Sequence, residues 1–395
     1  MNKFWKASIH VLFSVFAAAA ALLLPNLFSA PKPLSANDLH LAWLLSPGRY
    51  FVYDASAPGG ERSLRTNPEL SRLGNGTDTF NRLKAPGVFR VFCVGGSTTR
   101  GWPFHEKLSY PSLLSLYLKE ALPSRKIEVI NAGFLASDSF SDLSLVRELL
   151  DYQPDLLLVY EGRNDAWNHS LRSGRLEWLL RAHIFLSRNL RAYGLLKAGV
   201  FPDKEGFNHA GQIRKLAYAT QGDFRVFKSA FKNKLKEISQ AAASGKSGII
   251  FINQVAFPDG TPMEKDVSLS NDWLGEFASE EGAALVDLNG VFRGYKRTRG
   301  LIIPPPIVHP DVEGYCLMAG TVLENLKKRG AVAPANEWRP VPGAAAAGCL
   351  KISASYGLEI KESYGRVADF FEKARNPGAA AYYRSRAGRI ERRGN

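Results

Sequence analysis

Val88-Phe89-Arg90-Val91-Phe92-Cys93-Val94, followed at once by Gly95-Gly96-Ser97-Thr98-Thr99, decides the fold. A short apolar run rich in Val and Phe that breaks at two glycines reads as a buried strand ending in a tight turn. Downstream the same alternation repeats. Ser112–Ala121 has helical periodicity, Ile127–Asn131 is a second strand, Asp142–Tyr152 a helix and Asp155–Tyr160 a third strand. Phe224–Ala243 reads as a helix, Gly248–Asn253 as a fourth strand, Asp272–Glu281 as a helix and Ala284–Leu288 as a fifth strand. The last helix of the series, about Asp311–Arg329, has Pro310 at its first turn and Gly330 at its end, the usual helix start and stop. Strands alternating with helices predict an α/β domain with a mostly parallel five-stranded sheet, over residues 87–330.

Around this body the pattern changes. Residues 31–86 are rich in Pro, Gly, Ser and Asn and read as a lead-in, with a short helix near Leu39–Leu45. Residues 167–222 are an insertion between the third strand and its returning helix. Its amphipathic stretch Arg175–Phe201 suits a helix packed by its apolar face, with a lid or membrane-surface helix as the alternative. Residues 331–395 form an Ala/Gly/Pro-rich linker and two helices ending in Arg384, Arg386, Arg389, Arg392 and Arg393, read as a basic solvated extension.

At the N-terminus, Lys3 and Lys6 precede the apolar Val11–Leu24 segment, which Pro25-Asn26 interrupts. Ile9 to Ala30 matches the roughly 20 apolar residues that span a bilayer. Positive charge before the segment favours a cytoplasmic N-terminus and an exported body. The expectation is an uncleaved signal anchor over residues 1–30, single-pass in the inner membrane with the body in the periplasm; a cleaved signal peptide is the alternative.

The chain has 395 residues, 45% hydrophobic and 22% charged, with a formal net charge of +14, so a sizeable core and affinity for anionic surfaces follow. No nucleic-acid-binding motif accompanies the charge, and nucleic acid is not expected as a partner. Cys93, Cys316 and Cys349 lack metal-site spacing. Cys93 reads as a small core residue. A Cys316–Cys349 disulfide is open, but sequence separation alone does not establish it. No His/Asp/Glu cluster has ligand spacing and no glycine fingerprint marks a nucleotide, so neither metal nor cofactor is expected.

Four stretches would meet at the carboxyl edge of the sheet, where parallel α/β domains bind ligands. They are Gly95-Gly96-Ser97 after the first strand, Asn131-Ala132-Gly133 at the end of the second, Gly162-Arg163-Asn164-Asp165 after the third, and Val308-His309-Pro310 before the last helix. Taken singly, each has an ordinary reading as a turn, a helix cap or a loop histidine. Together they place a hydroxyl, an imidazole and several hydrogen-bond donors at one edge. Such a set suits nucleophilic attack on a carbonyl, with Ser97 as nucleophile and His309 as its base. The backbone N–H groups of Ser97 and Gly133 and the Asn164 amide are the candidate oxyanion donors. Trp102, Phe104 and Trp167, near these blocks, are candidate substrate-wall residues.

The order Gly-Gly-Ser, Asn-x-Gly, Gly-x-Asn-Asp and late His-Pro resembles the four blocks of the SGNH, or GDSL-like, hydrolases, over roughly residues 88–330. The resemblance implies a flavodoxin-like three-layer α/β/α fold and a serine esterase working through an acyl-enzyme. The expected substrate is an acyl ester, acetyl included, of an envelope or extracellular carbohydrate or lipid. An O-acyltransferase on the same site, and a non-catalytic carbohydrate-binding or assembly module, are the alternatives. One position departs from the family, which sets Asp three residues before the histidine; here Pro306 stands there. Three arrangements stay open: a loop carbonyl holding His309 in a Ser–His dyad, a carboxylate from elsewhere (Asp311 or Asp287), or a lost activity.

Overall fold

The computed structural model describes residues 34–56, 63–71, 78–168, 174–190, 224–256, 262–295, 300–305, 307–341 and 356–394, with the single positions 14, 171 and 193. The chain divides into two compact units, residues 1–46 with 168–222, and residues 47–167 with 223–395.

In the first unit, helix Ala36–Leu45 starts at Ser35, whose Oγ accepts the Asp38 N–H at 3.2 Å. Helix Gly174–Asn189 packs against it and buries Leu180 and Ile184. His183 Nε2 lies 2.9 Å from Asp38 Oδ1, and Arg181 donates to the Leu45 carbonyl at 2.8 Å. Thus the insertion does carry a helix, which keeps Trp178, Leu179 and Phe185 exposed. No helix among the described residues is long and apolar enough to cross a membrane. The predicted anchor, residues 1–30, lies outside the described residues except for Ser14.

The second unit is built on a sheet of five parallel strands: β4 (Val88–Gly95), β5 (Lys126–Gly133), β6 (Leu156–Glu161), β7 (Gly248–Asn253) and β8 (Ala284–Val286). Their order is β5-β4-β6-β7-β8, the flavodoxin-like arrangement. The order reverses between β4 and β6, so the crevice outside their carboxyl ends is the expected ligand site. Ser97 follows β4 and Asn164 follows β6. All six residues of β6 are buried, as a central strand covered on both faces requires. The helices that follow are α1 (Ser97–Arg100), α2 (Tyr110–Ala121), α3 (Ser139–Leu149), α4 (Lys228–Ser244), α5 (Pro262–Glu281), α6 (Leu288–Gly294) and α7 (Val312–Arg329). α5 begins ten residues before the predicted start, because its first turns lack the apolar spacing that marks Asp272–Glu281.

Residues 51–81, read from sequence as lead-in, hold a three-stranded antiparallel sheet: β1 (Phe51–Tyr53), β2 (Ser63–Thr66) and β3 (Thr79–Asn81). Phe51 and Phe80 project into an aromatic cluster with Phe92 of β4 and Tyr152, with ring centroids 4.9 to 6.4 Å apart. Beside it Arg90 is wholly buried, which is tolerable because its guanidinium is hydrogen-bonded throughout. It donates to Glu128 at 2.8 Å, the Tyr152 carbonyl at 2.7 Å and the Asn81 carbonyl at 2.9 Å. Tyr50, just before β1, donates its hydroxyl to the Gly133 carbonyl at 2.6 Å, so this small sheet also braces the end of β5.

The C-terminal helices α8 (Gly357–Lys373) and α9 (Pro377–Gly394) correct the solvated-tail reading. Ile360, Tyr364, Val367, Phe371 and Tyr383 are buried in the same core as β4 and α7. Phe371 and Tyr383 stack at 5.8 Å with ring planes 4° apart. Cys93 is free and buried, whereas Cys316 is in a disulfide; Cys349 lies outside the described residues.

Candidate active site

Ser97 opens α1 immediately after the β4 turn. Gly95 has φ +143°, and a Cβ there would meet Thr99 Oγ1 and the Tyr160 carbonyl, each at 2.6 Å, so only glycine makes this turn. No side chain caps α1, and the Ser97 N–H, at its first position, has no acceptor within the helix.

His309 comes from the loop before α7. Its Nε2 lies 2.7 Å from Ser97 Oγ. Its Nδ1 lies 2.5 Å from the Ile307 carbonyl. A carbonyl only accepts, so Nδ1 carries the proton and Nε2 is left as the acceptor facing the serine hydroxyl. The loop is bent for this purpose at Val308, a β-branched residue at φ +51°, which brings the carbonyl of Ile307 round to the ring two residues on. A conformation so unfavourable for valine costs about 1–3 kcal/mol, supplied by the surrounding packing. The loop is anchored by Ile303 N–H on the His309 carbonyl at 2.7 Å and Asp311 N–H on the Leu301 carbonyl at 2.8 Å. Pro306 itself lies outside the described residues.

Neither candidate carboxylate faces the imidazole. Asp311 accepts from Val312 N–H and from Arg386. Asp287 caps α6 through Gly290 N–H and accepts from Asn253 Nδ2. Burial pushes the His309 ring well below its ordinary value of 6.5; the Ile307 carbonyl opposes this and the Arg163 charge adds to it. The imidazole is therefore neutral, as a general base must be.

The remaining blocks converge as the sequence order implied, with one difference of role. Asn164 Nδ2 donates to the Ser137 carbonyl at 2.7 Å and stands beside Gly96, where a Cβ would come within 2.5 Å of it. Its second N–H is the one available to an oxyanion. Gly133 N–H, in contrast, is given to Asn131 Oδ1 at 2.9 Å. What glycine provides here is clearance, since a Cβ would sit 2.4 Å from the Arg100 backbone nitrogen. Asn131 Nδ2 in turn donates to the Thr99 carbonyl at 3.0 Å and fixes the end of α1. Asp165 secures the Asn164 turn, its Oδ1 accepting from Ser139 N–H at 3.1 Å and Ser139 Oγ at 2.6 Å.

Of the three aromatic candidates, Trp102 meets the His309 ring edge-on at 4.7 Å and is half-buried. Phe104 is a correction: it is 6% exposed and packs edge-on against Tyr315 and Tyr364, so it belongs to the core. Trp167 lies in the short helix Asp165–Asn168. Sequence reading passed over two residues. Ile307 acts through its carbonyl, which no residue type announces. Arg163, within the quoted Gly-Arg-Asn-Asp block, is buried against Glu264 and donates to the Val255 carbonyl at 2.8 Å. Among the described residues, no group of three or more His, Cys, Asp or Glu is placed to hold a metal ion.

Residues 93–317 match the family model described as GDSL-like lipase/acylhydrolase. No curated protein matches the sequence. Similar solved structures include an acetylxylan esterase from Geobacillus stearothermophilus, with 17% identity over 60% of this chain and 94% of that one and a TM-score of 0.40. A protein of the G-D-S-L family from Desulfitobacterium hafniense has 16% identity over 60% and 99%, with a TM-score of 0.38. Another from Veillonella parvula has 14% identity over 60% and 97%, with a TM-score of 0.39. The chain belongs to the GDSL-like lipase/acylhydrolase family of ester-hydrolysing serine enzymes.

Proposed function

We propose that this protein hydrolyses acyl esters, acetyl esters among them, of an envelope or extracellular carbohydrate or lipid, through a Ser97–His309 dyad. The observation that carries the reading is the 2.7 Å contact between Ser97 Oγ and a His309 ring whose other nitrogen is held by a main-chain carbonyl. Ser97 Oγ attacks the ester carbonyl as its proton passes to His309 Nε2, and the tetrahedral oxyanion forms. Ser97 N–H and the free Asn164 N–H stabilise that charge, with Gly133 N–H a third donor once it leaves Asn131. His309 then gives its proton to the departing alkoxide, leaving Ser97 acylated. A water, deprotonated by the same nitrogen, releases the acid. Trp102, beside His309, offers a flat apolar wall for a sugar ring or acyl chain. The Lys3 and Lys6 anchor pattern supports an extracytoplasmic site on the inner membrane, as does the Cys316 disulfide, a bond that oxidising compartments preserve.

A fluorophosphonate probe tests the site directly. Full-length protein is expected to label stoichiometrically and Ser97→Ala not at all; folded wild-type protein that fails to label would sink the reading. The depressed His309 makes a second expectation. Protonation removes the base, and a lowered pKa moves that loss to more acid conditions. The acid limb of kcat/KM on a chromogenic acetyl ester should therefore lie below about pH 6. A limb at or above the ordinary histidine value contradicts the geometry.

A further inference from the structure

The C-terminal helices, beyond the family segment, contact the chain that follows each member of the dyad. On the nucleophile's side they grip the loop that follows α1. His105 N–H donates to Ser363 Oγ of α8 at 3.1 Å, Phe104 meets Tyr364 edge-on at 5.8 Å, and Lys107 pairs with Glu359 at 2.8 Å. On the base's side, Arg386 of α9 reaches the root of the histidine loop. Its Nη1 donates to Asp311 Oδ2 at 2.7 Å, and its Nη2 donates to Glu313. Its guanidinium carbon lies 4.7 Å from the centre of the Tyr364 ring. The Asp311 side chain is fully buried and that of Arg386 is 12% exposed, so this is an interior ion pair and not a surface contact.

Asp311 is two residues beyond His309 and begins α7 by accepting Val312 N–H at 2.6 Å. Any shift of Asp311 moves the chain that carries the imidazole. The helical hairpin also has an apolar contact of its own, in which Phe371 of α8 stacks on Tyr383 of α9. A buried carboxylate held by a guanidinium from a distant helix fixes geometry at an energetic cost that apolar packing would avoid.

We propose that the α8–α9 hairpin is part of the active-site scaffold, with Arg386 a positioning residue that fixes Asp311 and through it sets His309 against Ser97. The inference rests on the hydrolase reading above. Misplacing a reacting group by about 1 Å can lower turnover about 10²-fold without touching the chemistry itself.

The test uses the full chain and 4-nitrophenyl acetate, with wild type, Ser97→Ala, Arg386→Lys, Arg386→Gln, and the double variant Arg386→Gln with Asp311→Asn. Arg386→Gln should lower kcat about tenfold or more and leave KM within about twofold, and Arg386→Lys should recover part of the loss. The double variant removes the stranded carboxylate, so its melting temperature should rise toward wild type while kcat stays low. That split distinguishes positioning from mere stabilisation. Wild-type kcat in folded Arg386→Gln overturns the inference, as does kcat that recovers in step with stability in the double variant. Should Arg386→Gln not fold, the double variant carries the same comparison. Wild-type turnover that does not depend on Ser97 overturns the hydrolase reading and this inference with it; Ser97-dependent turnover insensitive to Arg386 overturns this inference alone.

Discussion

Alanine at Ser97 or at His309 is expected to lower kcat on an activated acetyl ester by about 10⁴-fold or more, and alanine at both to lower it no further. The reason is that the two side chains make one device. The Ser97 hydroxyl is a weak nucleophile until its proton has somewhere to go, and the acceptor is His309 Nε2 at 2.7 Å. Once either is gone, the acyl-enzyme route closes and the other has nothing left to contribute. Losses that multiply in the double variant would show that the residues act separately. Asp287→Asn is the control. Its carboxylate is committed to Gly290 N–H and Asn253, so turnover should stay within about threefold of wild type. A large loss there would mean that Asp287 reaches His309 in the working enzyme.

The positions of the five strands along the chain were legible because most lie within apolar runs bounded by turn residues, β6 most clearly, whereas their spatial order β5-β4-β6-β7-β8 is not written in those runs. The central strand β6 is buried on both faces, and burial writes itself into residue type. The blocks at the strand ends were legible for a related reason: Gly95 and Gly96 stand where backbone or an amide comes too close for a Cβ. β1 and β3, at three residues each, are too short for a period of two to register, and the aromatic neighbours of Phe51 and Phe80, Phe92 and Tyr152, lie farther along the chain. The His309 orienter is a main-chain carbonyl, and every residue has one. Pro306 announced only that the usual aspartate was missing. Phe104 shows the opposite failure: an aromatic close to the nucleophile in sequence faces Tyr315 and Tyr364, which sequence proximity does not reveal. Arg386 is one of several arginines on a basic helix, and its pairing with Asp311 separates it from the exposed Arg384 and Arg389.

Arg163→Met is expected to destabilise the second unit by about 3–5 kcal/mol, the range for breaking a buried pair by removing one partner. Methionine nearly matches the arginine in length, so packing is largely kept and the loss is electrostatic. Both side chains of the Arg163–Glu264 pair are less than a tenth exposed, at 8% and 5%. Without the guanidinium, the Glu264 carboxylate stays buried beside an apolar thioether, and the Val255 carbonyl loses the donor it had at 2.8 Å. Adding Glu264→Leu should recover most of the stability, because an apolar replacement of a buried ion pair is often neutral. Denaturant unfolding of wild type and the two variants measures both steps. A loss under about 1 kcal/mol in Arg163→Met would mean that Glu264 escapes to solvent or takes up its proton cheaply. The double variant then isolates what the charge does for chemistry. Arg163 helps keep His309 unprotonated, so removing it should let the acid limb of kcat/KM drift upward, toward the ordinary histidine value. A limb that stays in place in a stable double variant would leave burial alone holding the imidazole neutral, and would reduce Arg163 to a structural tie to Glu264 and the Val255 carbonyl.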